Sequence, residues 1–339
     1  MLVLSKKEVM SLIDMDECIS VVESAFKEYG SGHAYMPKET LVPTDDGVTL
    51  YTPSYLKRSK ALACKIVTIY RNNSENDNAS TIVSKIFIHD ILTGKIKCVM
   101  DGDYITGLRT GAASAVATKY LSRDNGAMTL GIFGSGIQAR TQLIAVACVR
   151  EINKVYVHSK NRKRAIAFIS DMSKKYDFEF ILAKTAAELT MNADIICTAT
   201  TSDIPLFDGE FIKPGTHINC IGSYKPNTRE LDSSTIKKAL FIGDSKETVL
   251  KEAGEFLIPL KEGEIDRSHF YADLGEITTG RKRGRLRKNE ITVFKSVGLA
   301  FQDTAAAQFV FDKAVKLGIG EKVSPLCFQR EELLLQNLS

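Results

Sequence analysis

Apolar positions first recur at helical spacing, with Ile19, Val22 and Phe26 on one stripe. This predicts a helix over about residues 16–29, stopped by Gly30. The period then changes. Residues 48–52, 62–70, 82–89 and 95–100 read as strands separated by turn chemistry such as Thr93-Gly94. A helix over about 103–121 follows, rich in small residues (Gly107, Gly111, Ala112, Ala113, Ser114, Ala115, Ala117) that allow close backbone approach. From Met128 onward, strand and helix alternate. Strands are predicted over 128–133, 154–158, 178–182, 195–198, 217–221 and 240–242, with helices over 137–149 and from about 162. Such alternation predicts a parallel sheet with right-handed crossovers. A last helix, over about 298–317, is again small-rich at Ala305, Ala306 and Ala307.

The expected fold class is α/β, with a Rossmann-type doubly wound parallel sheet inserted into an α+β substrate and dimerisation domain. The expected division is 1–122 plus 299–339 for the outer domain and 123–298 for the nucleotide-binding domain. No internal repeat or low-complexity linker interrupts it.

Composition narrows the class. The 339 residues are 44% hydrophobic and 25% charged, ordinary for a globular enzyme, with a formal charge of +4. That charge is too mild to argue for nucleic acid. The basic run Arg281, Lys282, Arg283, Arg285, Arg287 and Lys288 reads as a solvated loop before the strand in ITVFKS. The seven cysteines (Cys18, Cys64, Cys98, Cys148, Cys197, Cys220, Cys327) are odd in number, widely spaced and mostly in apolar runs. They read as reduced core thiols of a cytoplasmic protein, and no metal is expected. The opening MLVLSKKEVM is too short in apolar residues for a signal peptide, and no run is long enough for a membrane span.

The strongest local motif is GIFGSGIQAR, in which Gly134, Gly136 and Ala139 fit G-x-G-x-x-A between a predicted strand and a predicted helix. Gly134 suits the tight turn. Gly136 admits a pyrophosphate. Ala139 lets helix and strand pack, and Ile137 and Gln138 open the helix whose N-terminus favours the phosphate charge. The next strand ends in KVYVHSKNRKRA. NAD sites place an acid there to hold the ribose; here Ser159 stands in that position, followed by Lys160, Asn161, Arg162, Lys163 and Arg164. A hydroxyl with cations accepts a 2′-phosphate that an acid would repel, so NADP(H) is favoured, with NAD(H) as the alternative.

The segments ACKIVTIY, DYITGLRTGAASAVATKYL, GIFGSGIQAR, INCIGSYKPNTRELD, ADLGEITTGR and ITVFKSVGLAFQDTAAA, in this order across nearly the whole chain, resemble the ornithine cyclodeaminase/mu-crystallin family. The resemblance implies a homodimer and NAD(P)-dependent chemistry at the carbon–nitrogen centre of a small amino or imino acid. Its members include cyclodeaminases, alanine dehydrogenases, ketimine reductases and an opine-type dehydrogenase. By the same resemblance, Lys65 matches an active-site lysine and Arg109 an arginine that holds the substrate carboxylate. Thr81 falls at a substrate-side threonine. Thr198, Thr200, Ser223, Lys295 and Ser296 lie in segments lining the nicotinamide pocket. The residue types suit these roles: arginine recognises a carboxylate bidentately, and a buried lysine can exchange a proton.

Two departures bear on the reaction. Cyclodeaminases and some alanine dehydrogenases of the family carry a catalytic aspartate two residues beyond an Ile-Gly pair; here Ile221-Gly222 is followed by Ser223 and Tyr224. Tyr224 can supply a proton or a hydrogen bond but not that carboxylate. In MPKETL, Glu39 stands where many relatives have arginine, which leaves Lys38 as a substitute, another hold on the carboxylate, or a substrate with a cationic far end. The leading expectation is reduction of a Δ1-pyrroline- or Δ1-piperideine-2-carboxylate-type ketimine. Cyclodeamination or amino-acid dehydrogenation is the enzymatic alternative. A nucleotide-dependent small-molecule binding protein is the non-enzymatic one, against which the retained Lys65 and Arg109 argue.

Overall fold

The structure is a computed structural model that describes residues 1–70, 81–124 and 126–324. Cys327 and the 325–339 part of the expected outer domain lie outside the described residues. Two separate eight-stranded sheets organise the chain.

The first sheet is mixed. Strands Gly47–Leu56, Ala61–Tyr70, Ile82–His89 and Ile96–Asp101 run antiparallel in sequence order. Leu2–Leu4, a three-residue strand too short to read from periodicity, pairs parallel to Ile96–Asp101. Helices Met15–Gly30, Asp103–Leu121 and Ala300–Leu317 cover one face and share one apolar core with it. The other face carries the exposed apolar side chains Val42 and Tyr51, whereas Leu41 and Ile82, also exposed, have the parity of the helix-covered face.

The second sheet is parallel throughout, with every strand between Met128 and Lys295. Its centre is Met128–Phe133, flanked by Ile152–His158 on one side and Ile195–Thr198 on the other. The strand order therefore reverses beside Phe133, the place where open parallel sheets form a crevice at their carboxyl ends. This is the α/β, Rossmann-type sheet that the alternation predicts.

Small residues work where the pattern places them. A methyl group on Gly111 would lie 2.7 Å from the Thr141 carbonyl oxygen, so helix Asp103–Leu121 packs directly on helix Ile137–Val149 of the other sheet layer. Gly30 differs from expectation. It is the last helical residue rather than a stop beyond the helix, and its bare Cα abuts the backbone of Gly275. The basic run also differs in part. Arg285 is half-buried and donates to the Leu121 carbonyl (2.7 Å) and Thr292 Oγ1 (3.1 Å), latching the end of helix Asp103–Leu121 to strand Ile291–Lys295. Arg281, Arg283, Arg287 and Lys288 are exposed or half-exposed, as in the solvated-loop reading.

Candidate active site

Register puts Lys65 inside. Along Ala61–Tyr70 the buried positions are Ala61, Ala63 and Lys65, the alternate residues that face helix Ala300–Leu317. Arg109 reaches the same place from helix Asp103–Leu121. Between them stands Asp303, one turn into the last helix. Lys65 Nζ lies 2.7 Å from Asp303 Oδ2, and Arg109 Nε lies 3.1 Å from Oδ1. Arg109 Nη1 also donates to Gln302 Oε1 at 2.9 Å. All three charged groups are buried.

One carboxylate thus faces two cations. Burial pushes the Asp303 carboxyl up, but Arg109 and Lys65 outweigh it and hold it below the ordinary aspartate value. Burial drives Lys65 down; Asp303 opposes this and Arg109 adds to it, and the net shift is below the ordinary lysine value. The cluster carries a net positive charge, and no group among the described residues accepts from Arg109 Nη2. An incoming carboxylate would find both a counter-charge to complete and a free donor.

Access to the guanidinium depends on Gly298, which has φ +89°; a side chain there would approach Arg109 Nη1 to 2.7 Å. The turn carrying Gly298 is held by the buried Asp244 carboxylate, which accepts from Val297 N and Gly298 N at 2.8 Å and from Ser296 Oγ at 3.0 Å.

Lys65, Arg109 and Asp303 form the floor of a cleft of about 610 Å³ between the two sheets. Lys38, Glu39 and Tyr224 line its mouth, all exposed. The structure therefore brings together Lys65, Arg109, Tyr224, Lys38 and Glu39, which are distant in sequence. Thr81 does not line this cleft; it precedes strand Ile82–His89, whereas Lys65 pairs with Ile86 further along.

The glycine turn lies at the sheet's switch point. Gly134 has φ +109°, and a side chain there would collide with the Ala199 carbonyl oxygen. Gly136 faces open space and begins helix Ile137–Val149 with no side-chain cap, leaving its first N–H groups free. Exposed Ile137 and half-buried Gln138 border the turn, while Ala139 is buried against the sheet. These residues fit a dinucleotide pyrophosphate. Ser159 Oγ sits 3.2 Å from Ser135 Oγ at the end of the next strand. Lys160 and Arg162 are exposed there without an ion-pair partner among the described residues, and the Asn161 side chain caps helix Arg162–Met172.

Beyond the turn, the remaining cofactor-side residues are mostly supports. Thr198 and Thr200 donate their hydroxyls to Glu230 at 2.7 Å. Ser223 Oγ lies 2.8 Å from both the carbonyl oxygen and Oγ1 of Thr228. Ser296 is bound to Asp244. Lys295 has no exposure and pairs with Glu255 at 3.0 Å, so its ammonium braces the pocket from beneath and does not face the crevice. Asp303, Glu230, Asp244 and Glu255 escape the sequence reading. Each is a lone acid in an ordinary context, and its partners come from remote segments.

A model of the ornithine cyclodeaminase/mu-crystallin family matches residues 1–318. A Δ1-pyrroline-2-carboxylate reductase of Bacillus cereus is 38% identical over 326 residues, which covers 95% of this chain and 99% of that protein. The solved structure of Thermococcus litoralis Δ1-pyrroline-2-carboxylate reductase in complex with NADH and L-proline matches with a TM-score of 0.90 and 45% identity, covering 95% of this chain and all of that one (100%). An archaeal alanine dehydrogenase dimer with bound NAD matches with a TM-score of 0.89 and 34% identity, over 95% of this chain and 98% of that one. The motifs, the two-sheet fold and the full-length similarity agree: the chain belongs to the ornithine cyclodeaminase/mu-crystallin family.

Proposed function

We propose that the two cations sharing Asp303 are the reaction centre of an imino-acid reductase. The protein is an NAD(P)H-dependent oxidoreductase that reduces a small cyclic ketimine acid of the Δ1-pyrroline-2-carboxylate type. Arg109 anchors the substrate carboxylate through its free Nη2 and the net positive charge of the cluster. Lys65, held in place by Asp303, delivers a proton to the imine nitrogen. The turn at Gly134 and Gly136 would hold the pyrophosphate of a dinucleotide, and a dihydronicotinamide so bound would be the source of hydride for the imine carbon. Tyr224 stands where cyclodeaminases of the family carry an aspartate; without that carboxylate, ammonia release from a diamino acid is disfavoured. Lys38 and Glu39 meet the far end of the substrate, and Thr81 falls outside this set.

The same reading assigns the substrate and the dimer contact to 1–122 plus 299–339 and the cofactor to 123–298, a division supported by the two separate sheets. The exposed apolar side chains Val42 and Tyr51, on the sheet face not covered by helices, support an isologous dimer. Ser159 with Lys160, Asn161 and Arg162 supports a 2′-phosphate and hence NADPH, although the relatives above hold NADH and NAD.

A panel of cyclic imino acids, followed at the nicotinamide absorbance, should show rapid NADPH oxidation, and ornithine should yield no proline or ammonia. Lys65→Ala should lower kcat on the order of 10²–10⁴-fold, as for a lost general acid. Arg109→Ala should act mainly on KM. Substantial ornithine turnover would refute the role given to Tyr224, and a Lys65→Ala enzyme with full kcat would refute that of Lys65.

The proton donor also fixes a pH dependence. Lys65 acts in its protonated form, and its depressed pKa places the alkaline fall of kcat below the ordinary lysine range. Asp303 raises that pKa, so Asp303→Asn should move the fall to lower pH. A pH–rate profile with the limb unmoved would exclude Lys65 as the donor.

Cofactor choice is read by steady-state kinetics with both nucleotides. NADPH should be preferred, and Ser159→Asp should reverse the preference by charge repulsion; better use of NADH by the unmodified enzyme contradicts the reading. Light scattering should report a dimer at working concentrations, and a monomer there removes the assembly proposal.

A further inference from the structure

Glu230 is fully buried and lies outside the substrate cleft, yet it ties together the ends of two central strands. Its Oε1 accepts from Thr200 N (2.8 Å) and Thr200 Oγ1 (2.7 Å); its Oε2 accepts from Thr198 Oγ1 (2.7 Å) and Gly222 N (2.8 Å). Thr198 and Thr200 end or follow strand Ile195–Thr198, and Gly222 follows strand His217–Cys220. These are the carboxyl ends of the parallel sheet. The short segment from Gly222 to Tyr224 leads from them to the substrate cleft, which Tyr224 lines.

The charge state follows from the donors. A backbone N–H points at each carboxylate oxygen and can only donate. The Thr200 hydroxyl already accepts from Ser202 N at 3.1 Å, so its own proton is committed to Glu230. Burial outweighs the convergent donors and lifts the Glu230 carboxyl above the ordinary glutamate value. The geometry is what supports a carboxylate, since the backbone N–H groups of Thr200 and Gly222, one on each oxygen, favour the ionised form. The nearest cation, Lys295, is already paired with Glu255 at 3.0 Å. Cys220, Glu230 and Glu255 bring one ligand atom each within 4.8 Å of one another, a spacing that would suit a metal ion. The Lys295 ammonium serves there instead, 3.8 Å from Cys220 Sγ and bonded to the Ser223 carbonyl. Two carboxylates and one ammonium, all at 0% exposure, leave one negative charge uncompensated.

Resting on the reductase reading above, we infer that Glu230 is a positioning residue for hydride transfer whose carboxylate also favours the oxidised over the reduced cofactor. A dinucleotide with its pyrophosphate on Gly134–Gly136 and its reacting end at the Lys65 cleft must pass the segments 198–200 and 222–224. When a dihydronicotinamide gives up a hydride, the ring becomes cationic. A buried negative charge beneath those segments stabilises that ring and leaves the neutral, reduced ring unaffected.

The test is calorimetric binding of NADP+, NADPH, NAD+ and NADH to the full-length protein and three variants. Glu230→Gln removes the charge. Glu255→Gln removes the same net charge while leaving every tie of Glu230 to Thr198, Thr200 and Gly222 in place. Thr198→Val removes one tie and no charge. In both glutamine variants, affinity for the oxidised cofactor should fall relative to the reduced one by about tenfold, the effect of a nearby charge at intermediate effective dielectric. In Thr198→Val both affinities should fall by the same factor. An unchanged ratio in the glutamine variants overturns the inference and leaves Glu230 a purely structural brace. If Glu230→Gln does not fold, as a thermal melt would reveal, Glu255→Gln decides alone. Failure of the unmodified protein to bind any of the four nucleotides would instead refute the reductase reading itself.

Discussion

A single buried carboxylate, Asp303, decides what the rest of the substrate side can be. Strand Ala61–Tyr70 and helix Asp103–Leu121 each deliver a long cation into a nearly closed interior, where either alone would be costly to desolvate. Removing one partner from a buried ion pair costs about 3–5 kcal/mol, because the remaining charge is left uncompensated. Asp303 contacts both cations, so the same contact that permits their burial also fixes the distance between anchor and proton donor. The compensation stops one charge short. That shortfall turns a packed interior into a site for an anion.

The cofactor side uses the opposite sign by the same means. There, Glu230, Glu255 and Lys295 are fully enclosed, and the excess is negative. The two clusters lie on either side of the segment from Gly222 to Tyr224, positive toward the substrate carboxylate and negative toward the sheet ends. Neither cluster needs a surface charge, so screening by salt weakens both very little. Asp244 joins the two halves mechanically, since it grips the turn that carries Gly298 against Arg109.

Some of this is readable in the chain and some is not. The parallel sheet is readable because apolar strands such as 128–133 and 195–198 alternate with helices of ordinary length. The turn at Gly134 is readable because its glycines sit between a strand and a helix. Lys65 stands out as a charge in an apolar strand, and Arg109 as a charge among small helical residues. Asp303 does not stand out: QDT in a helix is what a solvated helical turn also looks like, and its partner Lys65 is 238 residues away. Glu230 is hidden for the same reason, since one acid in a loop carries no period. The short strand Phe270–Asp273 and the helices Ser233–Lys238 and Lys246–Glu252 are too brief for periodicity to declare. Lys295 misleads in another way, because position in a pocket-lining segment says nothing about which way a side chain points.

The placement of Asp303 on helix Ala300–Leu317 has a consequence for the order in which the molecule is made. Lys65 and Arg109 leave the ribosome with the first sheet, and their counter-ion emerges only after the whole parallel sheet has been synthesised. At ordinary elongation rates that interval is on the order of ten to forty seconds. During it, the nascent first sheet carries two cations on its inner face and no carboxylate to set against them, so that face stays hydrated and open. The inserted parallel sheet, whose strands all lie between Met128 and Lys295, has no such gap, because the helix it packs on, Asp103–Leu121, is made before it. The last helix then finishes the first sheet's core and the charged cluster together, so that a chain stalled before it lacks both.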